Sequence, residues 1–328
     1  MRATVTGASG FVGSNLAIEL LKQGHHVRAL RRDSSQVGHL AEFPIEWVKG
    51  ELGDVDSLKR AFSSSDVVFH CAALVSIRKR LSPELVATNV DGTRNVVAAA
   101  KRAGVARLVH CSSVAAVGVA EAGEVGNEAT QWNFSDHGLA DGYATTKHLA
   151  EELLGEQKEL DVVIANPACM FGPYDAKSAS GKLIVGIVRR RVPGYPHGAN
   201  NFSDVRDVVR GMILLAEKGR RGERYILGGQ NLTYRDVVTR IAKIAGIQPL
   251  RFGMPRWVAT IMGAAGDVIE RLGREPLLNS ISMRYIYTDL QFSSEKAVRE
   301  LGYRPTSVAA LELAIADAME WFAAHKML

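Results

Sequence analysis

Along the first half of the chain, short apolar runs rich in β-branched residues alternate with longer segments whose apolar positions recur at helical spacing. RATVT, HHVRAL, IEWVKG, DVVFHC, RLVHCS and DVVIAN are the predicted strands, with helices such as NLAIELLKQG and VDSLKRAFSS between them. Gly24 closes the first of these helices, as a residue without a Cβ readily does. The strand runs are almost continuously apolar rather than alternating, the pattern of a sheet covered by helices on both faces. Strand and helix in alternation predict an α/β fold built on a parallel, doubly wound sheet.

From residue 167 the texture changes. NPACMFGPYDAKSASG is rich in Gly, Pro and Ser and reads as a loop that carries function. A helix over 183–191 follows, then a loop, VPGYPHGANN. DVRDVVRGMILLAEKG is predicted helical and ERYILGG a strand that returns to the sheet, and the chain from Thr233 onward is largely helical. Residues 1–166 are thus expected to form the sheet unit, with 201–228 returning to it. Residues 167–200 and 229–328 are expected to form a smaller, mostly helical C-terminal region that binds substrate. Residues 257–269 make an unusually apolar helix-like stretch, followed by Met283, Tyr285 and Tyr287. Ordinary core and an apolar lining for a substrate are its two readings.

Composition changes this picture little. Of 328 residues, 47% are hydrophobic and 23% charged, the balance of a globular chain able to bury a core without disulfides or metal. The net charge of +5 invites a nucleic-acid partner, but both signs are spread along the chain and no run of Lys and Arg exceeds three. A localised anion site is the more economical use of the surplus. Cys71, Cys111 and Cys169 each end an apolar run and read as small buried side chains, not as a disulfide framework. No metal site is expected. No apolar stretch approaches the ~20 residues that span a bilayer. No leader is expected before the first strand, which begins within two residues of Met1, so a cytoplasmic location is expected.

Two motifs carry chemistry. TGASGFVG places Gly7, Gly10 and Gly13 between the first strand and the first helix. Glycine there permits a tight turn and lets a pyrophosphate approach the backbone, while the helix amino terminus offers free N–H groups. This is a Rossmann-type arrangement. YATTK sets Tyr143 and Lys147 four residues apart, on one face of a helix. A nearby ammonium favours phenolate, lowers the tyrosine pKa and makes the phenol a usable proton donor and acceptor. Upstream, RLVHCSSVAAVG ends a strand in Ser112 and Ser113, either of which could meet a substrate carbonyl.

Glycine turn, strand-end serine and Tyr-x-x-x-Lys in that order resemble the extended short-chain dehydrogenase/reductase family, of the NAD-dependent epimerase/dehydratase type. HCAA, closing the fourth strand, Asn89 in NVDGT and the NPACMFGP segment fit the same pattern in sequence order. The resemblance implies Tyr143 as general acid/base, Lys147 as the ligand of the nicotinamide ribose, and Ser113 rather than Ser112 as the catalytic hydroxyl. It implies cofactor contacts at Gly7, Gly10, Phe11, Val12 and Gly13, and at Glu51 and Leu52 near the adenine. It implies further contacts at Cys71, Ala72, Ala73 and Pro167, with Asn89 organising backbone around the site.

In this family an acid at the end of the second strand accepts from the adenosine 2′-hydroxyl. Here Arg31 stands at that place with Arg32 beside it, and guanidinium matches a 2′-phosphate. NADP is therefore the expected cofactor and NAD the alternative, which an inward-turned Asp33 would restore. Glu51 departs from the usual aspartate. Dehydratases of the family carry an Asp-Glu pair after the catalytic hydroxyl, where this chain has Val114 and Ala115. The chain resembles dihydroflavonol-reductase-like proteins and also hopanoid-associated sugar epimerases, the latter through GERYILGGQNLT and ELGYRP. A carbonyl reductase is expected, with a nucleoside-diphosphate-sugar epimerase as the alternative and a cofactor sensor without turnover as a remote one. Val75, Met170, Tyr174, Lys177, Lys182 and Arg206 are candidate substrate contacts. A homodimer formed through helices at 83–103 and 141–158 is a further implication, and a small molecule is the expected partner.

Overall fold

The run RATVT becomes strand β1 (Arg2–Thr6), and the next five predicted strands follow at nearly their expected bounds. They are β2 (His26–Arg31), β3 (Glu46–Lys49), β4 (Val67–His70), β5 (Arg107–Cys111) and β6 (Asp161–Pro167). The computed structural model describes all residues except 77, 122, 176–178, 275 and 277, so Lys177 lies outside the described residues. Five more strands complete the set among the described residues: β7 (Cys169–Phe171), β8 (Ala199–Asp204), β9 (Arg224–Leu227), β10 (Gln230–Thr233) and β11 (Asp289–Leu290).

The large sheet has the order β3-β2-β1-β4-β5-β6-β9, and every pairing in it is parallel. Its strands serve two cores at once. Val67 and Phe69 of β4, with Val109 and Val163, join the core under helices Phe11–Lys22 and Val205–Lys218. The intervening Val68, with Leu108 and Val162, joins the core under helices Val55–Phe62 and Gly92–Ala103. Successive side chains point to opposite faces, so strands buried on both sides need apolar residues at every position. The chain winds outward from β1 to β3, then restarts at β4 and winds the other way. Between β1 and β4 lies the switch point, where the carboxyl ends of adjacent strands diverge and leave a crevice.

A second, small sheet departs from the sequence expectation. β8 lies at its centre, antiparallel to β10 along its length, and shares its other edge between β7 and β11. Two stretches read as loop, Cys169–Phe171 and the end of VPGYPHGANN, are therefore strands, and residues 201–204 belong to the small sheet. The return to the large sheet begins one element later, with helix Val205–Lys218. ANNFSD and QNLT lack the apolar alternation that marks a strand, and tertiary contacts hold them instead. The buried Asn201 amide donates to Asn231 Oδ1 (2.8 Å) and Phe292 O (3.0 Å), and accepts from Gly229 N (2.7 Å).

The chain beyond β10 is largely helical, as expected. The helix predicted at 183–191 lies at Ala179–Val188. The three cysteines are free thiols, Cys111 buried and the other two half-buried. The apolar stretch at 257–269, inside helix Arg256–Arg271, is not core on its main face: Trp257, Ile261 and Val268 are 67%, 60% and 52% exposed. What the helix buries fully is small (Ala259, Gly263 and Gly266), with Val258 and Met262 half-buried against Met254 and Met283. A Cβ on Gly266 would lie 1.8 Å from Leu278 O, and one on Gly263 2.8 Å from Ser280 Cα.

Register sets His70 of β4 beside His110 of β5, with ring centroids 5.2 Å apart. Thr6 Oγ1 (2.8 Å) and Thr93 Oγ1 (3.1 Å) engage His70, whereas both nitrogens of His110 lack a partner among the described residues. Burial, reinforced by the Lys147 ammonium, pushes His70 down to about 3 and His110 well below its usual range. An unfolded histidine takes up its proton near pH 6.5, so below that pH the unfolded chain binds more protons than the folded one. The stability contributed by the neutral pair is full above about pH 6.5 and is lost as pH falls. Thermal melts between pH 7.5 and 5.5 should show a smaller loss in His110→Phe than in the parent chain. Equal slopes would show that His110 is not a source of the acid sensitivity.

Candidate active site

β1 feeds a turn that only glycine can make. Gly7 has φ +73°, and a Cβ there would lie 2.6 Å from Ala72 N; one on Gly13 would lie 2.2 Å from Gly7 O. The turn is thereby pressed against the backbone that leaves β4, where Thr6 O and Oγ1 accept from Cys71 N (3.2 Å) and Ala72 N (3.3 Å). Gly10 caps the Phe11–Lys22 helix without a side-chain acceptor, and no acid occupies its first turn. The amides of Phe11, Val12 and Gly13 are left as donors at the positive end of the helix dipole. A dinucleotide pyrophosphate fits this cradle, whose walls leave no room for side chains.

At the end of β2, Arg31 and Arg32 are exposed and form no ion pair among the described residues. Asp33 does not turn inward. Lys49 holds it at 2.5 Å on the surface. Glu51 is exposed beyond β3, with its backbone bracketed by Ser57 Oγ, and Leu52 packs under Gly92. Asn89 is fully committed: it accepts from Leu74 N (2.8 Å) and donates to Leu74 O (3.0 Å) and Thr146 Oγ1 (2.9 Å). It binds the loop after β4 to the helix that carries Tyr143.

That helix, Gly142–Gly155, is capped by Asp141, whose Oδ1 accepts from Ala144 N at 2.7 Å. Burial raises the Asp141 carboxyl to about 6. Tyr143 and Lys147 share one face, with Nζ 5.9 Å from the phenol ring centroid. β5 ends beside them. Ser113, half-buried, caps a short turn at Val114–Ala116 and hydrogen-bonds the Tyr143 phenol. Ser112 is turned inward and donates to Glu151, which separates the two serines by role.

One electrostatic expectation is corrected here. Lys147 is expected to lower the Tyr143 pKa, but burial pushes the phenol well above its usual range, against a lowering contribution from the Ser113 hydrogen bond. The ammonium is directed instead at Cys111 O (2.8 Å), and burial lowers its own pKa. Tyr143 therefore holds its proton at neutral pH.

The sequence reading missed a polar group beneath these residues. Glu151, 8% exposed, accepts from Ser112 Oγ and from Asn166 Nδ2 (2.5 Å), and Arg224 Nη1 lies 3.3 Å from its other oxygen. Asn166 also donates to Ser113 O at 2.9 Å. Its only sequence signal was Glu151 standing four residues beyond Lys147, the same helical step that joins Lys147 to Tyr143. Tyr285 was also missed as a site residue; it lies within electrostatic reach of Tyr143 and Asp141 and meets Phe134 edge-on at 5.9 Å.

The substrate candidates fare unevenly. Val75 is exposed on the loop after β4 and Met170 is half-buried in β7, while Pro167, a candidate cofactor contact, is buried at the end of β6. Tyr174 packs its ring near His39 (5.3 Å) and Trp321 (6.1 Å). Lys182 is exposed. Arg206 is not free for a substrate anion, because Asp204 (2.7 Å) and Asp317 (2.6 Å) engage its guanidinium.

The fold and this constellation define an NAD(P)-dependent oxidoreductase or epimerase of the extended short-chain dehydrogenase/reductase type. The family model for the NAD dependent epimerase/dehydratase family matches residues 3–228, and the chain belongs to that family. It is 37% identical to a Synechocystis sp. protein provisionally named a dihydroflavonol 4-reductase, covering 98% of this chain and 94% of that one. Sterol demethylase protein B of Methylococcus capsulatus is 36% identical, with 100% of both chains covered. A solved nucleoside-diphosphate-sugar epimerase from Pseudomonas aeruginosa superposes with a TM-score of 0.81 at 28% identity, over 100% of this chain and 99% of that one.

The close approach at Gly13 gives a direct test of the cradle. Gly13→Ala should weaken dinucleotide binding by at least about tenfold, measured by calorimetric titration, because its methyl group forces the turn apart. Unchanged affinity would remove the turn from the cofactor site.

Proposed function

We propose that the protein is an NADP-dependent reductase of an apolar carbonyl compound, with Tyr143 as its proton donor. The observation that carries the cofactor choice is the exposed, unpaired Arg31–Arg32 at the end of β2, with Asp33 held away by Lys49. Two guanidinium groups suit a 2′-phosphate. The likeness to the Synechocystis protein, named for dihydroflavonol 4-reduction, supports a reductase, and the likeness to the Methylococcus sterol demethylase protein supports an apolar substrate. Residues 1–166 with the returning helix and β9 would hold the cofactor, and the remaining C-terminal residues the substrate, in a homodimer.

When bound, the dinucleotide supplies hydride to the carbonyl carbon. The chain's own residues supply the proton. Tyr143 Oη, kept protonated by burial, gives its proton to the carbonyl oxygen, and solvent restores it afterwards. Ser113 Oγ accepts from Ala115 N at 3.2 Å, which leaves its own proton for the phenol or for the substrate oxygen. Lys147 spends one of its three donors on Cys111 O and keeps two for ribose hydroxyls. Its charge then opposes the negative charge that grows on Oη. Val114 and Ala115 after Ser113 offer no acid or base for eliminating water.

A sugar-nucleotide epimerase is the second reading, favoured by the full-length likeness to the Pseudomonas aeruginosa protein. The engagement of Arg206 by two carboxylates speaks against it, since that guanidinium is unavailable to a diphosphate.

Tyr143→Phe should lower turnover by about 10²–10⁴-fold while leaving cofactor affinity near that of the parent. Wild-type turnover in that variant would exclude Tyr143 from the chemistry. Arg31→Asp should reverse a preference for NADPH over NADH in binding titrations. Equal affinities in both proteins would overturn the cofactor assignment, and tightly retained NAD without net NADPH consumption would favour the epimerase.

A further inference from the structure

Helix Arg256–Arg271 is inside out for a helix of a water-soluble protein. At 100° per residue, Trp257, Ile261, Ala264, Ala265, Val268 and Leu272 fall within an arc of about 100°, and all are exposed. Trp257 and Leu272 are 67% and 74% exposed, and the preceding Phe252 is 77% exposed. The opposite face carries Ala259, Gly263 and Gly266, packed against the backbone at 278–280. A contiguous outward apolar stripe of this length marks a surface that meets something other than water.

The charges around it identify the occupant. Between residues 251 and 274, every exposed charged side chain is an arginine: Arg251, Arg256, Arg271 and Arg274. The helix's two acids are turned away from solvent, where Ser280 N donates to Asp267 (3.0 Å) and Asn279 Nδ2 to Glu270 (3.1 Å), and both also meet Lys79. Asp267 pairs with Lys79 Nζ, and Glu270 accepts from Lys79 N at 3.0 Å. The segment thus tethered adds exposed Arg78 and Arg80 and exposed Val75 and Leu81. Aromatic and aliphatic side chains flanked, among the described residues of 251–274, by exposed arginines fit a bilayer interface carrying anionic lipid. No helix among the described residues is long and apolar enough to cross a membrane, so the helix would lie on the surface rather than span it.

We propose that this face docks the protein on anionic bilayers, with helix Arg256–Arg271 in the interface plane and Trp257 among the acyl chains. The site opens close by. Arg78 O accepts from Gly142 N, and a Cβ on Gly142 would lie 3.2 Å from Leu81 Cα, so the tethered segment runs between the docking helix and the Tyr143 helix. The inference does not depend on the reductase reading, because binding is measured without turnover.

The test is flotation of the full chain with phosphatidylcholine vesicles and with vesicles of phosphatidylcholine and phosphatidylglycerol at equal lipid mass. Co-flotation with the anionic vesicles is expected, weakened by salt, together with quenching by brominated lipid of fluorescence from Trp257, the most exposed of the four tryptophans. Trp257→Gln with Ile261→Gln should lower partitioning by at least about tenfold and abolish the quenching. Arg256→Glu with Arg271→Glu should remove the preference for anionic lipid. All four side chains are exposed, so an unchanged melting temperature is expected and shows that the variants are folded. Absence of flotation with either vesicle, or variants that bind as the parent does, would overturn the proposal. So would a dimer in sedimentation velocity that the Trp257/Ile261 variant dissolves, because the face would then belong to a second copy.

Discussion

The contact on which the site depends is the one between Gly7 and the backbone at Ala72. Two parallel strands, β1 and β4, are neighbours in space but carry chain off in opposite directions, and their ends must nonetheless be brought close enough to share one anion. A side chain at Gly7 would hold them apart by more than any neighbour could yield, since the clashing atoms are backbone, and one at Gly13 would force the turn itself open against Gly7 and Ala8. Once that approach is made, the first turn of helix Phe11–Lys22 faces the crevice and the loop at 71–75 forms its far wall. Asn89 fixes that wall in turn, and through Thr146 passes its position to the Tyr143 helix. The phosphate end and the proton-donating end of the site are thus parts of one hydrogen-bonded frame.

Electrostatics at the reacting end follow from burial more than from pairing. Lys147 lies beside Tyr143 but spends a bond on Cys111 O, and both groups are pushed toward their neutral forms by the low-polarity surroundings. Beneath them Glu151, Asn166 and Arg224 are joined to one another and orient Ser112 and the Ser113 carbonyl, with the buried Asn166 Oδ1 left without a partner among the described residues. The hydrogen bonds that link them make this group a floor under the site rather than a source of reactivity. It also explains why adjacent serines differ. The strand's alternation sends Ser112 down to the floor and leaves Ser113 at the surface of the cleft.

How much of this was legible in the sequence depended on whether the signal was local. The apolar runs of β1, β4, β5 and β6 announce themselves because strands buried on both faces are mostly apolar, the buried His70 and His110 being exceptions. The glycine turn and the Tyr143–Lys147 pair are likewise written within eight and five residues of chain. The small sheet is not, because β8 and β10 owe their pairing to the amides of Asn201 and Asn231 meeting Phe292, contacts between residues 30 and 91 positions apart. Arg206 misled for a similar reason: its neighbour Asp204 was visible, but Asp317 arrives from the last helix. The tyrosine pKa was misjudged because helical spacing reports proximity and says nothing of how deeply a pair is packed.

The outward apolar face and the reacting site have a common structural origin. Helix Ser280–Tyr285 must come close enough to the body of the protein for Tyr285 to reach the neighbourhood of Tyr143 and Asp141, and it is backed by helix Arg256–Arg271. That backing is made by Gly263 and Gly266, which let the chain at 278–280 lie directly on the helix surface. A helix whose inner face must be this small cannot also bury Trp257, Ile261 and Val268 there; Val258 and Met262 pack at its side with Met254 and Met283, and the other large apolar residues face outward. In a protein whose partner is water alone, polar residues on that outer face would carry no cost and would remove an aggregation hazard. Their replacement by tryptophan, isoleucine, valine and leucine, within a surround of arginines, is the arrangement a lipid surface favours.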